Sequence, residues 1–78
     1  MRKVKKKTIR ELRTEQGWSQ FELAVKAGVT PLSVGNWERG TSEPRVSQLR
    51  KLAEVFGVLM DDIALVERPE TAEGKRAA

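Results

Sequence analysis

Glycine divides this chain into pieces too short to be anything but brief helices. Gly17, Gly28, Gly40 and Gly57 each follow a stretch of helical apolar spacing, and helix start signals stand just beyond the first two. TIRE, residues 8–11, and SQFE, residues 19–22, are capping boxes: a Thr or Ser hydroxyl caps the helix while the Glu three residues on reaches back. Trp18 before Ser19, with Leu23 at the fourth helical position, has the spacing of a hydrophobic staple, and Val29 with Val34 repeats it. Thr30 caps a third helix whose first position is Pro31, where a missing N–H costs nothing. A fourth helix starts near residues 45–47, and its Leu49, Leu52, Ala53 and Phe56 follow the i, i+3, i+4, i+7 pattern. MDDIALV, residues 60–66, reads as a short fifth helix. No strand pattern and no repeat is visible, so the expected fold class is all-α with about five short helices.

A chain of 78 residues holds one domain with a small core. Its 33% charged and 38% hydrophobic residues suit a water-soluble helical domain. No apolar run approaches the roughly 18 to 20 residues that span a bilayer, and the basic N-terminus has no apolar stretch behind it. No membrane association is expected, and the location expected is cytoplasmic. There is no Cys and no His, which excludes disulfides, thiolate chemistry and the commonest zinc ligands. Asp61 and Asp62 are neighbours on a helix, where they do not face each other, and read as an acidic helix start. We therefore expect no enzyme, no metal and no cofactor.

The net charge of +4 is unevenly placed. Residues 1–7, MRKVKKK, carry five positive charges; residues 8–66 carry seven basic and eight acidic side chains; residues 67–78 carry three of each. The expected organisation is a basic arm over 1–7, a folded domain over 8–66 and a flexible tail over 67–78, where Pro69 and small polar residues follow. Two readings of the arm stay open: contact with a polyanion, or a solubilising terminus.

The second and third helical segments are joined by three or four residues that include Gly28, the spacing of a helix-turn-helix over 20–39. At about 100° per residue, Val34, Trp37, Glu38 and Thr30 share one side of the third helix. Leu32, Arg39, Asn36 and Gly35 fall on the other, with Ser33 on its flank. That outer set combines an amide able to pair with adenine N6 and N7, an aliphatic group able to meet a thymine methyl, a cation and a position without a side chain. Gly35 costs roughly 1 kcal/mol of helix propensity relative to Ala, and we expect it to let a partner approach the backbone.

IRELR, GWSQFELAVKAGVTPLSVGNWERGTSEP and LRKLAEVFGV together resemble the Cro/repressor-type (XRE) helix-turn-helix family of bacterial and phage transcription regulators. The resemblance covers residues 8–66. It implies a compact five-helix, lambda-repressor-like domain whose third helix, about 31–39, enters the major groove of double-stranded DNA. Carried over by position, Gln20 binds a phosphate and braces the recognition helix. Thr30, Pro31, Leu32, Ser33 and Asn36 face bases or phosphates, while Arg39 and the backbone around Thr41 meet phosphates. Arg45 reaches the backbone or minor groove, or is a solvated surface residue. Glu38, inward-facing, is paired by the family pattern with Arg13 on the first helix, a structural ion pair. The sequence departs from the pattern at Pro31 and Leu32, where polar base-reading side chains are usual, at Gly35, and at Leu59, where a Ser or Thr cap is common.

The expected function is sequence-specific DNA binding by a transcriptional regulator, most simply a repressor associated with a bacterial or phage nucleoid. The alternative is a protein-interaction module, such as an antitoxin or adaptor, built on the same domain. The apolar cluster Val58, Leu59, Met60, Ile63, Leu65 and Val66 either forms a homodimer interface or seals the core. A chain of this length leaves no room for a separate ligand domain, so no small-molecule ligand is expected.

Overall fold

The computed structural model describes residues 6–66. The elements in order are β1 (Lys7–Thr8), α1 (Ile9–Glu15), α2 (Gln20–Ala27), α3 (Pro31–Arg39), α4 (Val46–Phe56), a 3-10 turn (Met60–Asp62) and β2 (Ile63–Ala64). Most of the expected basic arm and all of the expected tail lie outside the described residues.

The starts of the first three helices follow from their caps. Thr8 Oγ1 accepts from Glu11 N at 3.1 Å while Thr8 N donates to Glu11 Oε1 at 2.8 Å. Ser19 and Glu22 make the same reciprocal pair at 3.0 and 2.7 Å. Thr30 Oγ1 accepts from Ser33 N at 3.1 Å. At α4, Arg45 supplies no side-chain cap, and only its N–H is taken up, by Gln48 Oε1 at 2.8 Å. The helices end alike. After α2, Gly28 N–H donates to Val25 O and Val29 N–H to Ala24 O, the two bonds of a Schellman closure. Gly28 takes φ 73°, which a side chain would resist, and this lets a three-residue turn reverse the chain between α2 and α3.

The core lies where α1, α2, α3 and α4 meet. Leu23, Val34 and Leu52 are fully buried at 0% exposure, and Ile9, Leu12, Ala24, Ala27, Trp37, Ala53, Phe56 and Ile63 complete the cluster. Ala24 on α2 adds a small, fully covered side chain to this cluster. Trp18 stacks on Phe56 with ring centroids 5.9 Å apart, and Lys26 Nζ sits 4.8 Å from the Trp18 ring centroid. This caps the apolar edge of the core with a cation over an aromatic face.

The expected fifth helix is absent. Residues 60–62 make one 3-10 turn and the chain then extends, with Ile63 at φ −98°, ψ 121°. Leu59 has no hydroxyl to cap a helix, and its N–H finds only Asp62 Oδ2 at 3.4 Å. Ile63 instead drops into the core and pairs in parallel with the residues before α1, in the register Lys7 with Ile63 and Thr8 with Ala64. A β-branched residue extended beside an open backbone edge gains ladder hydrogen bonds there while burying its side chain. Among the described residues the fold is thus four α-helices, a 3-10 turn and one two-residue parallel pair, where five helices without strands were expected. Of the apolar cluster at 58–66, Ile63 is buried and Val58, Met60 and Leu65 pack against the core, while Leu59 remains 64% exposed. Among the described residues no helix is long and apolar enough to cross a membrane.

Leu52→Ala is expected to lower unfolding free energy by about 2 to 5 kcal/mol through the cavity it leaves, whereas Leu59→Ala changes it by less than roughly 0.5 kcal/mol. Urea unfolding followed by tryptophan fluorescence measures both, and equal effects at the two positions would contradict this placement of the core.

Candidate nucleic-acid interface

The orientation of α3 is set by a charged side chain on its inner side. Glu38 Oε2 accepts from Arg13 Nε at 2.6 Å, and Oε1 accepts from Arg13 Nη2 at 3.1 Å and from Gln20 Nε2 at 3.0 Å. Arg13 spends a further donor on the Trp18 carbonyl, Nη1 to O at 2.7 Å. The Arg13 and Glu38 side chains are only 12% and 5% exposed. Both carboxylate oxygens are occupied, the guanidinium is bound on both sides, and no buried side-chain polar atom among the described residues lacks a partner. A two-pronged Arg–carboxylate pair fixes relative angle as well as distance, so the network ties α1 and the start of α2 to α3. The Trp18 carbonyl lies in the loop between α1 and α2, and no local signal in the sequence marks it as an acceptor.

With Glu38 held inward, Val34 and Trp37 pack into the core at 0% and 4% exposure. The opposite side of α3 faces out. Leu32 is 68% exposed, Pro31, Thr30 and Arg39 are exposed, and Ser33 and Asn36 are half-buried. Thr30 caps the helix, and its hydroxyl also donates to Ser33 Oγ at 3.0 Å. Thr41 closes the other end: its N–H and its hydroxyl both donate to the Asn36 carbonyl, at 3.0 and 3.2 Å. Gly40 between them adopts φ 82°. Gln20 stands beside this face at the first turn of α2, and exposed Arg45 lies beyond the loop at the start of α4.

Gly35 is not the open backbone position that the helical angles suggest. It is buried, covered by two side chains of the same protein. A Cβ placed there would stand 3.3 Å from Arg39 Nη1 and 3.7 Å from Gln20 Oε1. Arg39 is four residues further along the helix and folds back over Gly35, with Nη2 donating to Asn36 Oδ1 at 2.6 Å. The glycine makes room for a guanidinium and an amide, and a rotamer choice of this kind leaves no trace in residue spacing.

On this face Arg39 carries positive charge, while Arg13 behind it is neutralised by Glu38. Lys7, the last residue of the basic run, sits in β1 and its Nζ donates to Glu15 Oε2 at 2.6 Å.

Residues 9–63 match the helix-turn-helix family. The chain is 36% identical over 53 residues, 68% of its own length, to the SPbeta prophage-derived HTH-type transcriptional regulator YonR of Bacillus subtilis, of which that match covers 49%. It is 36% identical over 66 residues, 82% of its length, to a putative multi-protein-binding factor 1 of Yarrowia lipolytica, covering 43% of that protein. The chain thus spans about half the length of these two relatives. Among solved structures, a hypothetical transcription factor, NHTF, from Neisseria superposes with a TM-score of 0.68 at 28% identity, covering 90% of this chain and 76% of that one.

Glu38→Ala is expected to cost roughly 3 to 5 kcal/mol of stability, because Arg13 is left nearly buried without its counter-charge. The double variant Arg13→Met/Glu38→Leu should recover much of that loss, since the desolvation of both charges is removed together. Denaturant midpoints of the three proteins test this, and additive losses in the double variant would show that the two side chains are not coupled.

Proposed function

The chain belongs to the XRE-type helix-turn-helix family of DNA-binding transcriptional regulators, and from that membership we propose that it recognises specific double-stranded DNA sites with α3 in the major groove and acts as a repressor. The observation that carries the reading is the outward set on α3. Leu32, Asn36 and Arg39 stand together on a face whose back is anchored by Val34 and Trp37 and whose rotation is fixed by Glu38. A rigid helix that projects an aliphatic group, an amide and a cation has the chemistry to meet a thymine methyl, a base edge and a phosphate.

The remaining residues take supporting roles. Gln20 keeps one Nε2 hydrogen on Glu38 and has the second for a phosphate. Thr30, Pro31 and Ser33 at the start of α3 border the groove. Arg39, Thr41 and Arg45 meet the sugar-phosphate ridge on the far side. Because Pro31 and Leu32 offer no hydrogen bonds to bases, shape and methyl contact share in the choice of site. Residues 8–66 carry a net charge of −1, so affinity draws on the basic run at residues 1–7 through phosphate neutralisation. Two copies bound to half-sites about 34 Å apart would give one short helix the specificity it lacks alone, and exposed Leu59 beside partly covered Val58 and Met60 is the apolar surface we assign to that homodimer. A bound pair of this kind represses by occupying promoter DNA.

One observation favours a second reading, a protein-interaction module: the likeness to a putative multi-protein-binding factor, together with the near-neutral domain. Salt separates the two. For the DNA reading, the logarithm of affinity falls linearly and steeply with the logarithm of salt concentration, with a slope set by the phosphates contacted.

Selection of bound duplexes from a random pool is expected to return a palindrome. Against that duplex, Asn36→Ala should lose about 1 to 3 kcal/mol of affinity while binding to unrelated DNA is nearly unchanged. A protein that enriches no sequence, and binds none at low salt, would overturn the proposal.

A further inference from the structure

The Arg39–Asn36 contact bears on which base α3 reads, and the inference rests on the DNA-binding role proposed above. Arg39 Nη2 donates to Asn36 Oδ1 at 2.6 Å, and Arg39 Nη1 lies over Gly35, where a Cβ would approach to 3.3 Å. Arginine has five donors and no acceptor, so the end of the Asn36 carboxamide that faces it is the oxygen. The contact therefore settles which way the amide points.

An asparagine with both ends free reads adenine, accepting from N6 and donating to N7. Here the accepting end already holds a cationic donor. An adenine amino group arriving at Oδ1 would bring its hydrogens beside the guanidinium, donor against donor. What Asn36 offers outward is then donors alone, its Nδ2 hydrogens. Their complement in the major groove is an edge made only of acceptors, which guanine presents with O6 and N7. We propose that Arg39, seated on Gly35, holds Asn36 with its Nδ2 hydrogens outward so that Asn36 reads guanine in place of the adenine it would choose alone, while the outer N–H groups of the guanidinium stay on the phosphate side. Arg39 is the positioning residue and Gly35 is the seat that admits its guanidinium.

The full chain is tested on duplexes carrying each of the four base pairs at every position of the selected half-site, by fluorescence anisotropy. Asn36→Ala marks the position that depends on the amide. At that position the wild type prefers guanine over adenine by roughly 5- to 100-fold, the range of one well-made side-chain contact to a base. Arg39→Met keeps the stem and removes the donors, and its preference moves to adenine. Gly35→Ala nudges the guanidinium, so the preference for guanine narrows while the helix gains propensity; thermal stability and base choice then change independently, which a merely structural role would not produce. An adenine preference in the wild type, or a guanine preference that survives Arg39→Met, overturns the assignment. So does an Asn36→Ala variant that changes preference nowhere. The contact itself is read without DNA from the Asn36 side-chain amide resonances. They shift in Arg39→Met if the clamp exists in solution, and unmoved resonances overturn it. Shifted resonances in a protein that binds no duplex at low salt sink the DNA-binding role of α3 and the base assignment with it, while the clamp stands.

Discussion

A carboxylate that cannot leave the interior organises this small protein. Glu38 sits almost fully out of water with all its contacts supplied by Arg13 and Gln20. Removing such charges from water is expensive, and their mutual attraction offsets that cost only when the geometry is right. The helix that carries Glu38 therefore has one rotation about its axis in which the network is complete. A turn by a single residue, about 100°, would strand the carboxylate and pull Val34 and Trp37 out of the core. An apolar pair at this site would hold the helices together as well, but it would specify their angle less sharply. The network contributes orientation more than cohesion, and orientation is what a side that presents Leu32, Asn36 and Arg39 needs.

Much of this was legible in the residues, and for local reasons. Caps act within four residues, so Thr8 with Glu11, Ser19 with Glu22, and Thr30 with Pro31 announce the helices they start. A helix of fixed pitch sorts its own sides, so the inward Val34 and Trp37 and the outward Leu32 are placed by counting. What was not legible depends on partners far away in the chain or on rotamers. Residues 60–66 have the apolar density of a helix. Whether they coil or extend is decided by the backbone at Lys7 and Thr8, more than fifty positions earlier, which no local period encodes. Gly35 is the second case. Its angle on the helix points outward, yet Arg39 turns back over it and Gln20 reaches across from α2. Long side chains can move a position from surface to interior without altering its place on the wheel.

Several polar groups on the outer side of α3 are already engaged within the protein. Pro31 and Leu32 supply no side-chain hydrogen bonds, the Thr30 hydroxyl and Ser33 bond to each other, and the Asn36 oxygen is engaged by Arg39. Its polar groups are held in fixed arrangements before any partner arrives. Preorganised groups lose less entropy on binding than groups that must first be ordered, which suits a short helix with few contacts to spend.

The parallel pairing of Lys7–Thr8 with Ile63–Ala64 sets an order of events during synthesis. A ribosome releases residue 7 early and residue 64 late. Helices α1 to α4 can gather while the chain is still growing, but Thr8, which also caps α1, stays without its neighbour until the last residue of β2 has emerged. The first edge of the domain to be made is the last to be closed.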